Sequence, residues 1–192
     1  GGYTRSYYEA FSYLNKDVDD MKSVKDWAVG QSFVDSGRVI IGGFSHGASM
    51  AYTAMKVYKT DFDAFLAICG TPNMGCAVQR GSLPQDIKDK IYISMGGPPD
   101  SQSTLWTDRS PESNYSSSSF TERPVLSMAA ELDSFYDIKD IYSLDFKTGS
   151  NVTTYAYADQ PRGWLFAYDG ANATQNFYSD PWLKIMTWLD SI

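Results

Sequence analysis

The sequence predicts an α/β fold with a mainly parallel sheet, and three observations carry that expectation. A buried-type strand, a helix of small and apolar residues and a second buried-type strand follow one another between residues 38 and 69. Strand, helix and strand at that spacing make a parallel βαβ unit. Two further strand-like runs, "PVLSMAAELD" and "NVTTYAYA", are separated by a helical stretch, and amphipathic helices stand near both ends of the chain.

Taken in order, Leu14, Val18, Met21, Val24 and Ala28 recur at spacings of three and four, which predicts a helix over residues 12–33. "DSGR" stops it and turns the chain. "RVIIGGF" then reads as a strand buried on both faces, "GASMAYTAMKVYK" as a helix and "FDAFLAIC" as the next strand. "PQDIKDK" has the proline start of a short helix, and "IYISM" reads as a short strand. Residues 96–123 show no periodicity and form an excursion, with "SSSS" at its solvated tip. After "PVLSMAAELD" come a helix at "SFYDIKDIYSLDF" and a strand at "NVTTYAYA". A last amphipathic helix rests on Trp182, Ile185, Met186, Leu189 and Ile192. There is no internal repeat, so residues 1–192 read as a single domain.

Composition narrows the function. A chain of 192 residues with 43% hydrophobic and 15% aromatic content is long enough for a proper core. Its net charge of −7, with no run of Lys or Arg to offset it, repels phosphate backbones and anionic lipid. Neither nucleic acid nor a membrane surface is expected as a partner, and no apolar stretch is long enough for a membrane span. One histidine, two separated cysteines and scattered carboxylates offer no zinc-ligand spacing, and the "GG" pairs make no phosphate loop, so neither metal nor cofactor is expected. Cys69 and Cys76 can form one local bridge or remain two buried thiols, and spacing does not choose between them. Three of the six asparagines, Asn114, Asn151 and Asn172, stand in glycosylation sequons, which favours a secreted or extracellular protein. The opening "GGYTRSYYEA" has neither a Met nor a signal-peptide pattern, so we expect a processed product or part of something longer.

The chemistry concentrates at "VIIGGFSHGASMAY". Gly43, Ser45 and Gly47 give G-x-S-x-G where a strand ends and a helix begins, the place a nucleophile elbow requires. The serine there holds a strained backbone, so its neighbours two residues away must lack bulk, and Gly43, Gly47 and Ala48 meet that demand. The helix N-terminus aims backbone N–H groups at the serine, with the His46 N–H the natural first oxyanion donor.

On these residues, and on "FDAFLAICGTPNMGCA" after them, the sequence resembles the α/β-hydrolase superfamily, with a sheet that here lacks the fold's N-terminal strands. Within it, the chain is similar to secreted esterases of the polyhydroxybutyrate depolymerase and feruloyl esterase type, and "PVLSMAAELD" fits the dienelactone hydrolase group as well. The resemblance implies a serine carboxylic-ester hydrolase with a triad in the chain order Ser, acid, His. It puts Ser45 as nucleophile and Asp133 as the orienting carboxylate, with Asp137 the weaker alternative. Asp133 also suits the cap of the helix that follows. The histidine is expected after the last strand, but "YADQPRGWLF" places Arg162 there. A guanidinium stays charged and cannot take the serine proton. His46, leaving the elbow next to the nucleophile, contributes its backbone, and its ring is expected to pack or line a pocket.

Residues 1–37 contain one helix and no convincing strand, so the strand at residues 38–44 would show an apolar edge. An upstream segment or a second chain is expected to cover it. Two functions then compete. One is an ester hydrolase on a small ester substrate, its base supplied from outside the chain. The other is an inactive, hydrolase-derived extracellular binding or structural domain in which Arg162 pairs with Asp133, its aromatic-rich stretches "SYYEAFSY" and "GWLFAYDGANATQNFYSDPW" lining an interface.

Overall fold

The computed structural model describes residues 14–80, 84–100, 104–108, 110, 123–133, 151–161 and 180–192. Helix α1 (Leu14–Ala28) leads to β1 (Ile40–Phe44), α2 (His46–Val57) and β2 (Ala64–Ile68). Three short helices follow: α3 (Met74–Arg80), α4 (Gln85–Ser94) and α5 (Thr104–Asp108). Strands β3 (Val125–Leu132) and β4 (Val152–Pro161) and helix α6 (Asp180–Ser191) complete the described elements.

The four strands lie in chain order β1-β2-β3-β4, every neighbouring pair parallel. Both faces are covered, which explains why β2 and β3 read as continuous apolar runs. On one face Phe65, Ala67 and Val125 pack with Val18 of α1 and Tyr52 and Met55 of α2. On the other, Ala64, Ile68, Leu126, Met128 and Ala130 pack with Ile185 and Trp188 of α6. Alternate residues of one strand thus serve opposite layers. A polar tie crosses the first layer: Tyr52 Oη and Ser127 Oγ, both buried, share a 2.6 Å hydrogen bond between α2 and β3.

The α/β expectation holds, and several local expectations are corrected. Helix α1 ends at Ala28, where Gly30 N–H and Gln31 N–H bond the carbonyls of Trp27 and Ala28 in tight turns, short of the expected residue 33. Of its anticipated stripe Val18 is buried, whereas Met21 and Val24 are exposed. "IYISM" is the end of α4 and not a strand: Ile91 and Met95, four apart, are both buried beside Met74, Val78 and Trp106, while Ile93 is 81% exposed. A strand would have put all three on one side. The excursion contains the short helix α5. In α6 the buried line runs through Pro181, Ile185 and Trp188, leaving Trp182 and Met186 exposed. The expected helix over "SFYDIKDIYSLDF" and most of both aromatic-rich stretches lie outside the described residues.

Among the described residues nothing pairs with the outer edge of β1, where Gly42 and Phe44 are exposed. The covering segment expected there is not supplied by them. No described helix is long and apolar enough to cross a membrane.

Candidate active site

Ser45 stands between the last residue of β1 and the first of α2, with φ 60° and ψ −117°. Positive φ is costly for a serine, so the surroundings must hold it. They do so through the backbone. Ser45 N–H donates to the Ile68 carbonyl at 2.9 Å, and the Ser45 carbonyl accepts from Ala48 and Ser49 N–H at 3.1 and 3.2 Å. A Cβ on Gly43 would stand 2.3 Å from the Gly47 carbonyl carbon, so strand and helix pass with no room for a side chain.

The steric demand is divided differently from the sequence expectation. Gly47's own Cβ would meet nothing within 4 Å; the second crowded position is Gly70, whose Cβ would lie 2.4 Å from Ala48 Cβ and 2.9 Å from the Ser45 carbonyl oxygen. Sequence reasoning missed Gly70, although the glycine immediately after an apolar strand was a usable sign of close approach. Ahead of it, Cys69 also has positive φ, 49°, and donates its N–H to the Met128 carbonyl at 2.8 Å.

His46 opens α2, so its backbone N–H is one of the first-turn amides that lack an intrahelical acceptor and suit an oxyanion. Its ring faces α1, with Nε2 3.9 Å from Asp17 Oδ2. Burial pushes the imidazole pKa below its ordinary value, with the Asp17 carboxylate pulling the other way. The ring is therefore predominantly neutral at pH 7, and the Asp17 contact becomes an ion pair only on protonation.

Asp133 directly follows β3, half-buried, and its N–H donates to the Ala130 carbonyl at 3.2 Å. Ser45, Cys69 and Asp133 thus occupy the C-terminal ends of three adjacent parallel strands, the side on which open α/β sheets carry their ligands. The β3–β4 ladder is irregular at this end, with a shift between Ala130 and Leu132. Asp159 there has φ 56°, and its N–H donates to the Glu131 carboxylate at 2.9 Å. Beyond the bulge Leu132 pairs with Pro161, so Asp133 and Arg162 are the residues that follow two partners in register.

Arg162, Asp137, Asn114 and Asn172 lie outside the described residues. Asn151 is exposed at the turn into β4, where its carbonyl accepts from Val125 N–H. No disulfide joins Cys69 and Cys76 in the described structure. Cys69 packs with Ile68 and Met128 on the α6 side of the sheet, whereas Cys76 lies on α3 and lines a cavity against α5.

A parallel sheet bearing a strained serine between strand and helix, with a carboxylate at the end of the next strand but one, defines a protein of the α/β-hydrolase fold. Residues 1–142 match the prolyl oligopeptidase family, and the chain belongs to it. No curated protein matches the sequence. Solved structures similar to it include a Mycobacterium tuberculosis puromycin-hydrolyzing peptidase, at 17% identity over 77% of this chain and 22% of that one, TM-score 0.65. A Pyrococcus horikoshii acylaminoacyl peptidase matches at 15% identity over 76% and 23%, TM-score 0.60. Porphyromonas gingivalis dipeptidyl peptidase 4 matches at 14% identity over 84% and 22%, TM-score 0.60. The chain spans less than a quarter of the length of each of these proteins. The superfamily expectation therefore stands, while the depolymerase, feruloyl esterase and dienelactone hydrolase kinships are not supported, because the match falls on a peptidase family.

Proposed function

We propose that this chain carries the nucleophile and acid of a serine hydrolase that cleaves peptide or related acyl bonds, in place of the carboxylic-ester substrate expected from sequence. The observation that carries the reading is the backbone of Ser45, held at φ 60° by glycine contacts that serve no purpose in an ordinary turn. In this reading Ser45 Oγ attacks the carbonyl carbon, the His46 N–H stabilises the oxyanion, and the amine leaves to give an acyl-enzyme that water hydrolyses. Asp133 orients the base. His46 is the single histidine of the 192 residues, and its ring faces Asp17, so the base is a histidine outside them.

The same observation favours a second reading. With Arg162 where a triad histidine is expected, the chain binds acyl compounds without turning them over, its Ser45 unactivated. Covering of the β1 edge by an upstream segment or a second chain belongs to both readings, as does export with glycans on Asn114, Asn151 and Asn172. A size shift on glycosidase treatment of the natively produced protein tests the export; an unchanged size removes it.

A fluorophosphonate probe separates the two functions, because an activated serine displaces fluoride from phosphorus and an unactivated one does not. Labelling that disappears in Ser45→Ala, together with release of amine from an aminoacyl amide, supports the hydrolase. A folded protein that takes no label supports the binder.

A further inference from the structure

Helix α1 is placed by contacts that do not involve Asp17. Val18 is fully buried in the layer that holds Tyr52 and Met55 of α2. Tyr58 Oη, just past the end of α2, donates to Asp19 Oδ1, and Lys22 Nζ reaches Asp61 Oδ1 at 3.4 Å. Asp17, one residue before Val18 in the first turn of α1, is thereby carried to the start of α2, where its Oδ2 lies 3.9 Å from His46 Nε2. Both side chains are mostly withdrawn from water, the ring 24% and the carboxylate 22% exposed.

His46 has two working ends on one Cα. Its N–H is the first amide after Ser45, and its ring reaches across to α1. Strands β1 and β2, against which α2 packs, contain no ionisable residue, and the first turn of α2 contains no acid. On α1, Lys16 and Asp20 are exposed and Asp19 is engaged by Tyr58. Among the described residues Asp17 is therefore the charge that acts on the ring. A carboxylate on this side favours the neutral tautomer that carries its hydrogen on Nε2. At 3.9 Å the contact is longer than a hydrogen bond and works as a charge on a dipole. A proton on the ring turns it into an ion pair, which draws the two groups about 1 Å closer.

We propose that Asp17 is a positioning residue of the elbow: from α1 it sets the orientation of the His46 ring, and through the ring the direction of the amide that follows Ser45. Its use in oxyanion stabilisation rests on the hydrolase reading above, whereas the coupling itself is a property of the folded chain. Asp17 touches no reacting atom; it aligns a donor that must point at the place the oxyanion will occupy.

The single imidazole of the 192 residues makes the coupling readable without turnover. In nitrogen NMR of the isotope-labelled protein near pH 7, the ring is expected as the Nε2–H tautomer. Asp17→Asn shifts the backbone amide signals of Ser45, His46 and Gly47 and moves the midpoint of the ring titration to lower pH, since a carboxylate that favours the imidazolium is lost. Asp17→Glu, which keeps the charge, restores both. In a His46→Gln background the same Asp17→Asn change leaves the Ser45 and Gly47 amides where they are, because the ring that connects them is gone. The Val18, Asp19 and Lys22 contacts keep α1 docked in every variant.

Fluorophosphonate labelling of Ser45 gives the second readout: about tenfold slower in Asp17→Asn, the scale of a misdirected donor, and recovered in Asp17→Glu. Amides unmoved by Asp17→Asn, or moved equally with and without the His46 ring, overturn the proposal. Shifted amides with no labelling of Ser45 in any of the proteins strike the hydrolase reading alone. Labelling at one rate in wild type and Asp17→Asn strikes the positioning role alone.

Discussion

The two ends of the candidate site are held by different means. At Ser45, conformation is held by backbone bonds and by volume: its N–H and carbonyl are both hydrogen-bonded, Gly43 lies against the backbone of Gly47, and Gly70 against Ala48 and Ser45. At Asp133, a side chain takes part: the Glu131 carboxylate holds the Asp159 backbone at the bulge where Pro161 pairs with Leu132. The difference teaches which half of a site tolerates change. A shape enforced by packing survives the loss of chemistry, whereas a proton relay depends on residue identity and ends with one substitution. The well-formed elbow therefore does not by itself report turnover, and residue 162 carries that question.

The sharpest way to break this comparison is Arg162→His. If the elbow is competent and only the base is missing, the substitution raises Ser45-dependent hydrolysis of an aminoacyl amide by about 10²- to 10⁴-fold, the usual worth of a general base. An unchanged rate in a folded protein means that the acid end is also displaced, and the contrast fails. Next in size is Gly43→Ala. Forcing a Cβ to 2.3 Å from backbone costs about 3 kcal/mol or more in urea unfolding, while Gly47→Ala, with open space around it, changes stability by less than about 1 kcal/mol. Equal effects would mean that the glycines act through backbone entropy and not through contact.

Smaller again is Tyr52→Phe, which leaves buried Ser127 Oγ without its Tyr52 bond and costs about 1–2 kcal/mol. The double variant with Ser127→Ala should cost less than the two single losses added; strict additivity would deny that the pair ties α2 to β3. The smallest effect is that of His46 on the pH dependence of stability. Its folded pKa lies below the unfolded value near 6.5 because burial disfavours the imidazolium, so the unfolded chain binds the proton more readily. Stability is accordingly full above about pH 6.5 and falls as pH drops toward the folded value. Unfolding curves of wild type and His46→Gln between pH 5 and 8 should converge in the acid range; parallel curves would show that Asp17 offsets burial entirely.

Much of this was legible in the sequence for physical reasons. The βαβ core was readable because β2 is buried on both faces, β1 is apolar throughout, and α2 has the small residues a close crossing needs. The elbow was readable because its demand on Gly43 and Ser45 is local. What escaped depends on contacts remote in sequence. Gly70 is required by Ala48, most of a helix, a turn and a strand away, and its place just after an apolar strand hints at a close approach without naming the partner. "IYISM" carries β-branched and aromatic residues, yet Ile91 and Met95 are claimed by Met74, Val78 and Trp106, and tertiary burial overrides local preference. The two cysteines stand close in the chain but belong to different layers, so spacing had no bearing on their pairing.

The strand order has a consequence for synthesis. Because the four strands lie side by side in the order in which they leave the ribosome, each new one meets an edge already formed, and none has to be threaded between two others. Parallel pairing of this kind is slow, since every contact waits for a crossover to close. During that wait the growing margin of the sheet, among the described strands, moves from β2 to β3 to β4.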